Sequence, residues 1–156
     1  MISRSYTVQF NAVAVTAQQD FFQIVAAAGK NVEVMGLFLS QVTNVGDANE
    51  KELAILIKSG QTTTGSGGST PAVVPTCVTT AAAGVAAQAN NTTKASAGTI
   101  VTHHADNWNI RSPYIVLWPE DMRFMLTGSE RLTVELATTP AASTTMSGTL
   151  YLREFG

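Results

Sequence analysis

Apolar residues recur at every second position in several short runs of this chain. Tyr6, Val8 and Phe10 alternate with polar residues near the start, and residues 132–136 alternate in the same way near the end. A period of two places successive side chains on opposite faces of a β-strand. The chain also holds 21 Thr and 15 Val, and β-branched residues at that density favour pleated strands over helices. The pattern predicts an all-β protein.

Local breaks in the alternation predict where the first strands bend and turn. Val13 and Val15 carry the apolar set on the parity opposite to residues 6–10, which predicts a bulge near Asn11. Residues 20–42 contain two apolar runs separated by "GKN", typical of a strand, a turn and a second strand. A short helix stays open for the first run, because residues 26–28 are alanines and alanine is a good helix former.

Further strands are predicted in the second half of the chain. Residues 122–136 favour a hairpin whose second strand directs Leu132, Val134 and Leu136 inward and Thr133 and Glu135 outward. Residues 100–110 fit a strand with a turn near Asp106, and "YIVLW" lies between Pro113 and Pro119, which suit strand boundaries. Eight or so short strands in one chain predict a single-domain β-sandwich, jelly-roll-like, over residues 1–156.

Charge is scarce in this sequence. Only 13% of the 156 residues are Asp, Glu, Lys or Arg, and the formal net charge is −2. The chain has no cluster of Lys and Arg, which argues against nucleic acid as a partner. A surface built from neutral residues resists self-association poorly, so we expect a homo-oligomer or a larger assembly.

Compartment and redox state follow from simple features of the sequence. Cys77 is the single cysteine, so an intrachain disulfide is impossible. The N-terminus lacks the apolar core of a signal peptide, and the longest apolar run is too short to span a bilayer. We therefore expect synthesis in a cytoplasm and no membrane partner.

The least globular stretch is "SGQTTTGSGGSTPAVVP", residues 59–75. A phosphate-binding loop would need a Lys-Ser/Thr pair and a helix start after the glycines, and neither follows. A linker between domains would leave too little core on its N-terminal side. We interpret 59–75 as a mobile loop between two strands whose uncharged groups meet a neighbouring subunit. The predicted subunit-interface residues are Thr62, Thr63, Thr64, Gly65, Ser66, Gly67, Gly68 and Ser69.

Candidate chemistry is sparse. The run "HHAD" holds both histidines of the chain, but on a regular strand His103 and His104 point to opposite faces and cannot share one metal ion. A polar strand end, with His104 packed near Trp108, is the simpler interpretation. Nucleophilic catalysis needs a Ser or Cys beside an oriented His, and pairing Cys77 with either histidine has no support in the sequence. We therefore predict no metal, no cofactor and no enzymatic activity.

Three aromatic residues keep a second function open. Trp108, Tyr114 and Trp118 could stack on sugar rings if they shared an exposed face. Their apolar neighbours favour packing in the core instead.

A resemblance extends over most of the chain, roughly residues 8–156. Its segments are "FLSQVTNVGDANEKELAILIKSGQTTTGSGGSTP", "NNTT", "HHADNWNIRSPYIVLWPED" and the closing "SGTLYLREFG". In these segments the chain resembles small virion proteins found among the structural genes of tailed bacteriophages. By analogy with capsid-decorating (cement) proteins, several of which are β-sandwich or jelly-roll trimers, the resemblance implies a virion component and supplies no active-site residue.

These observations lead to one expected function and two alternatives. We expect a homotrimer, made in the host bacterial cytoplasm, that binds the major capsid protein of a phage head and reinforces the capsid surface. The first alternative is a carbohydrate-binding or host-attachment module of a phage tail or head spike. The second is a metal-dependent jelly-roll enzyme.

Overall fold

The computed structural model describes residues 3–43, 52–78 and 81–155. Within these residues the chain forms eleven β-strands and one short 3-10 helix, Glu120–Met122. The strands are β1 (Ser3–Val15), β2 (Gln19–Ala26), β3 (Asn31–Gln41), β4 (Glu52–Thr63), β5 (Val73–Pro75), β6 (Val85–Asn91), β7 (Ser96–Asn109), β8 (Tyr114–Leu117), β9 (Phe124–Leu126), β10 (Arg131–Leu136) and β11 (Thr144–Phe155).

The strands form two antiparallel sheets that pack face to face. Sheet A has the order β5-β1-β11-β3-β8, with β9 also paired to β3, and sheet B has the order β6-β2-β10-β4-β7. The first strand lies beside the last in sheet A, and β2 lies beside β10 in sheet B. This winding, with β5, β6 and β9 as additions, is that of a jelly roll. The predicted all-β, jelly-roll-like sandwich is confirmed.

The core lies between the sheets and follows the period of two. On β11 every second residue from Thr144 to Glu154 is buried, including Met146 and Leu152. Full burial of an apolar side chain of this size stabilises the fold by about 1.5–3 kcal/mol. Strand β2 differs because seven of its eight residues are buried, so both of its faces are covered.

Two local predictions are confirmed by the backbone. The pairing of β1 with β11 slips between Phe10 and Val13, and Ala12 has a φ of 51°, which is the bulge expected near Asn11. The first apolar run of residues 20–42 is strand β2 and not a helix. The turn after it is closed by a hydrogen bond of 3.0 Å from the Lys30 amide to the Ala27 carbonyl.

The predicted hairpin over residues 122–136 is wrong. Strand β9 pairs with β3 in sheet A, whereas β10 pairs with β2 and β4 in sheet B. A turn does exist between them, since the Glu130 amide donates to the Thr127 carbonyl at 2.9 Å. The turn carries the chain from one sheet to the other. Leu132, Val134 and Leu136 are buried as predicted, but Thr133 and Glu135 are buried too.

Two further expectations are corrected by the strand limits. Strand β7 runs through residue 109, and Asp106 pairs with Ile55 of β4, so there is no turn near Asp106. Residues 59–63 continue β4, and residues 73–75 form β5. The expected loop over 59–75 is therefore reduced to a connecting segment, residues 64–72, because strand pairing with β7 and β1 extends into both of its ends.

Candidate functional site

The connecting segment 64–72 lies against the outer face of sheet B. The Gly65 amide donates a hydrogen bond of 2.9 Å to Oε1 of Gln23 on β2. Farther along, Ser66 and Thr93 form a β-bridge with backbone hydrogen bonds of 2.9 and 3.0 Å. We expected a mobile loop here. The segment is instead attached to the sheet by its own backbone, and it supplies cover for the outer face of β2.

The glycines of the segment permit close approach to β6. A Cβ atom at Gly68 would collide with the carbonyl oxygen of Ala89. A Cβ atom at Gly67 would collide with the Thr92 hydroxyl, and the φ of Gly67 is +82°, a left-handed conformation that favours glycine. The glycines therefore serve packing against the sheet, whereas the sequence suggested that they serve flexibility.

The structure separates the eight predicted interface residues into two groups. Gly65 is buried, and its amide is already bonded to Gln23. The other seven are exposed on the outside of the sandwich. These seven stay predicted contacts. Among them, the Thr64 hydroxyl already accepts a hydrogen bond of 2.8 Å from Arg131.

A buried ion cluster lies on the outer side of sheet B. Glu135 of β10 contacts Lys58 of β4 at 2.6 Å and Lys94 at 2.8 Å through its two carboxylate oxygens. Burial alone would raise the pKa of Glu135, but hydrogen bonds and charge from both lysines outweigh it and hold the pKa below its usual range. No sequence pattern predicts this cluster, because Lys94 and Lys58 are 41 and 77 residues from Glu135 along the chain.

Asp20 is buried close to the same cluster. Its carboxylate accepts a hydrogen bond of 2.7 Å from the Ala95 amide. Burial, opposed by that hydrogen bond, raises the pKa of Asp20 from 3.8 to about 6. The side chain therefore changes protonation state close to neutral pH.

Other carboxylates are also paired with basic side chains inside the chain. Glu33 accepts from Arg123 at 3.2 Å, and Arg153 lies 3.6 Å from the same oxygen. Lys30 lies 3.2 Å from Glu154. Much of the small charge of this protein is therefore neutralised within the fold.

One side of the sandwich exposes apolar side chains together with strand edges. Strand β7 is the last strand of sheet B, and β8 and β9 are the last strands of sheet A on the same side. We call these three strands, together with the turn 118–123, the open edge. Contacts between His104 of β7 and the residues of sheet A show that the two sheets meet there. Its exposed apolar residues are Ile100, Val101, Ile115, Leu117, Met122 and Met125.

The two histidines lie on the same side of β7. The pairing of β7 with β4 slips between Ile57 and Lys58, opposite residues 102–104, and such a bulge interrupts strict alternation. The His103 ring lies 5.9 Å from the ring of Phe124, and the His104 ring lies 5.9 Å from that of Trp118. The expectation of opposite faces is wrong, and His104 packs on Trp118 where we expected Trp108.

His104 also belongs to a series of hydrogen-bonded side chains at the open edge. Its Nε2 lies 3.2 Å from the Tyr114 hydroxyl, which donates to Asp106 at 3.3 Å. Burial, followed by the negative charge of Asp106 and this hydrogen bond, raises the pKa of Tyr114 well above its usual range. Tyr114 therefore stays a neutral hydrogen-bond donor at physiological pH.

A cleft of about 530 Å³ is lined by His103 and lies between the ends of β4 and β9. Inside it, Ser59 Oγ lies 2.7 Å from His103 Nε2. A serine nucleophile also needs a third group that orients the histidine. Among the described residues no carboxylate is hydrogen-bonded to His103. The pair has two members of a catalytic triad and lacks the orienting acid.

The aromatic residues that could stack on sugars are buried. Trp108, Tyr114 and Trp118 have exposed fractions of 2%, 7% and 8%. The indole of Trp108 donates to the Ser112 carbonyl at 2.7 Å. Packing in the core is therefore confirmed for all three, and the glycan-binding alternative loses the exposed aromatic face on which it depended.

The part of the chain that the structure describes contains neither a metal-binding cluster nor a helix able to span a membrane. Within residues 3–43, 52–78 and 81–155, no three His, Cys, Asp or Glu side chains are grouped so as to hold a metal ion. In the same part of the chain, no helix has the length and apolar character needed to cross a membrane.

The described residues form a jelly-roll β-sandwich in which β7 lies at the edge of one sheet and β8 and β9 lie at the edge of the other, on the same side. No family model and no curated protein matches the chain. Among solved structures, it is similar at 13% identity and a TM-score of 0.15 to a chain from the crystal structure of the T13 IBDV viral particle, over 99% of this chain. The alignment covers 39% of that other chain, so this chain spans about two fifths of its length. A TM-score this low carries no argument about fold or function.

Proposed function

We propose that this protein is a non-enzymatic structural component of a bacteriophage virion. In this proposal it is a decoration (cement) protein that binds the major capsid protein of the head and stabilises the shell. The resemblance of its motifs to small virion proteins of tailed phages supports the proposal, as does the jelly-roll sandwich. The observation that carries it is the way charge is distributed between the inside and the surface.

Basic and acidic groups pair within the chain, as Lys58 and Lys94 do with Glu135. Strands β7, β8 and β9 of the open edge contain Asp106 as their one carboxylate and no Lys or Arg, and segment 64–72 contains none of these groups. The other exposed acids of this side, Glu120 and Asp121, lie in the turn 118–123. Burying an unpaired charge in an interface costs several kcal/mol, whereas neutral residues are buried without that penalty. A protein with this surface is suited to lying between neighbours in an assembly, where many weak contacts add across a shell.

Self-association is part of the proposal, as a homotrimer by analogy with decoration proteins. The seven exposed residues among Thr62–Ser69 are proposed contacts with a neighbouring subunit or with the capsid. Five of the seven are Thr or Ser, whose hydroxyl groups can donate and accept hydrogen bonds. None of the seven is charged, so they place no charge at such a contact.

The test is rebinding to phage heads that lack the protein. Purified protein is mixed with these heads, and co-sedimentation and the melting temperature of the heads are measured. We expect saturable binding, a higher melting temperature, and less than about a threefold loss of affinity between about 0.05 and 0.5 M salt, because screening affects charged contacts most. Absence of binding at micromolar protein would contradict the proposal.

A matched pair of variants checks that the predicted contact residues make the contact. Thr62→Glu with Thr63→Glu places two charges on exposed predicted contact residues at the end of β4, and Thr16→Glu with Thr139→Glu places two charges at exposed positions elsewhere. We expect the first pair to weaken assembly or head binding and the second pair to leave both unchanged.

A further inference from the structure

Two stretches of the chain cross the outer side of sheet B as a pair. The pairing of β4 with β7 reaches Thr63 and Ser96, and it continues as the bridge between Ser66 and Thr93. The first stretch then bridges to β6, which lies at the opposite end of the sheet from β7. We call the two stretches, residues 61–69 and 92–98, the strap.

The strap begins at a pair of glycines. Gly60 of β4 and Gly98 of β7 have φ angles of +87° and +78°, in the left-handed region that favours glycine. The register of the two strands shifts between Ser59 and Gln61, and a Cβ atom at Gly98 would collide with the Gly60 carbonyl oxygen. Both strands therefore change conformation at the same place, and the strap is a unit distinct from the rest of β4 and β7.

Hydrogen bonds of polar groups attach the strap to the sheet. The Gly65 amide donates to Gln23 of β2 at 2.9 Å, and Nε2 of Gln61 donates to the Thr133 hydroxyl of β10 at 2.8 Å. Nη1 of Arg131 donates to the Gln61 carbonyl at 2.6 Å. Water can replace hydrogen bonds of this kind. Separation of the strap would therefore leave the apolar core between the two sheets in place.

Unpaired buried atoms are concentrated at the same boundary. Among the described residues, three buried side-chain atoms have no hydrogen-bond partner, namely Gln61 Oε1, Asn90 Nδ2 and Arg131 Nε. Gln61 belongs to the strap, Arg131 donates to it, and the backbone of Asn90 lies against Gly68. A buried polar atom without a partner raises the free energy of the closed arrangement, and water would bond to it in an open one.

One ion pair joins the second stretch of the strap to the sheet. Lys94 Nζ lies 2.8 Å from the Glu135 carboxylate of β10, and the next amide, that of Ala95, donates to Asp20 of β2 at 2.7 Å. Lys58 contacts the same glutamate at 2.6 Å, but it lies in β4 before the strap begins. Of the two lysines, Lys94 alone therefore links the strap to Glu135.

We infer that the strap opens from sheet B as one unit while the sandwich stays folded, and that the ion pair of Lys94 with Glu135 holds it closed. The strap contains the predicted contact residues 62–69, so opening changes their arrangement. That consequence rests on the proposed function, whereas opening itself is a property of the chain alone.

The test is amide hydrogen exchange followed by NMR on the protein alone. Gly65 and Ala95 are the reporters, because they lie in different stretches of the strap and both donate to β2. In the wild type we expect their protection factors to agree and to be about tenfold or more below those of β11, since local opening needs less free energy than global unfolding. Reporters as protected as β11 would overturn the inference without any variant.

Three variants test what holds the strap closed. Lys94→Met should lower the protection of Gly65 and Ala95 by a common factor of about ten or more, and Lys94→Arg should restore it. Lys58→Met is the matched control, because it removes an ion pair of Glu135 without touching the strap, and we expect both reporters to stay near wild type. Circular dichroism checks that each variant is folded.

Two results with these variants would overturn the inference. An effect of Lys94→Met confined to Ala95 would show that the strap does not open as a unit, and equal effects of Lys94→Met and Lys58→Met would show that Lys94 does not hold it closed. Phage heads are absent from this experiment. Its failure therefore leaves the proposed function standing, and failure of head binding leaves the inference standing.

Discussion

Ser69 and Ala89 exchange two backbone hydrogen bonds of 2.9 Å each, from the amide of either residue to the carbonyl of the other. This bridge attaches the segment after β4 to the free side of β6, on the far side of β10 and β2 in the same sheet. The segment therefore closes one strand edge and covers the outer face of β2. Its removal would expose both.

Gly68→Ala tests this attachment. The added methyl group would meet the Ala89 carbonyl and the backbone of Asn90, neither of which can yield as a flexible side chain could. We expect a loss of about 1–3 kcal/mol in the free energy of unfolding, the usual cost of overpacking. Urea denaturation measures it. The control is Ser66→Ala, at an exposed position of the same segment, and equal stability of the two variants would show that the segment is not fixed.

Strand positions in this protein are largely predictable because the period of two is a local property. The bulge near Asn11 was predictable for the same reason, since a bulge changes the parity of the apolar residues after it. The partner strand is not a local property. Residues 122–136 contain two strands and a turn, yet nothing in their own sequence indicates that β9 joins β3 while β10 joins β2 and β4.

The candidate sites were less predictable than the fold. Strict alternation placed His103 and His104 on opposite faces, and the bulge that brings them together depends on the register with β4. The glycines of the segment suggested mobility, because sequence alone does not distinguish a glycine that bends from one that packs. The exposure of Ile115 and Leu117 follows from the position of β8 at the end of a sheet, which becomes known only with the complete topology.

Asp20→Asn should change how stability depends on pH. Folding raises the pKa of Asp20 from 3.8 to about 6, so between these values the folded state binds more protons than the unfolded state. The contribution of Asp20 to the free energy of unfolding is then highest below about pH 4, falls as the pH rises to about 6, and stays low above that pH. Each unit of difference between the two pKa values is worth about 1.4 kcal/mol, so this contribution changes by about 3 kcal/mol in all.

We expect the asparagine variant to be more stable than the wild type by about 1–3 kcal/mol at pH 7.5, with the difference shrinking towards pH 4. Asparagine keeps an oxygen that can accept the Ala95 hydrogen bond. Urea titrations at pH 4, 5, 6 and 7.5 give the comparison. Asp121→Asn, at an exposed acid, is the control. An asparagine variant that follows the wild-type pH profile would refute the assignment.

Glu135→Gln should have the opposite effect on stability. The substitution removes the negative charge that Lys58 and Lys94 share, leaving Lys58 a mostly buried cation, and breaking a buried ion pair costs about 3–5 kcal/mol. Lys94 is 34% exposed, so water partly replaces the carboxylate that it loses. We therefore expect the free energy of unfolding to fall by about 2–3 kcal/mol at pH 7. The pKa of Glu135 is lowered on folding, so its contribution is present above its ordinary pKa of 4.5 and is lost as pH falls below that value. Denaturation should show a large difference in stability from the wild type at pH 7 and a smaller one at pH 3. The control is Glu52→Gln, at an exposed position of β4. A difference that does not depend on pH would indicate a packing defect and not a lost ion pair.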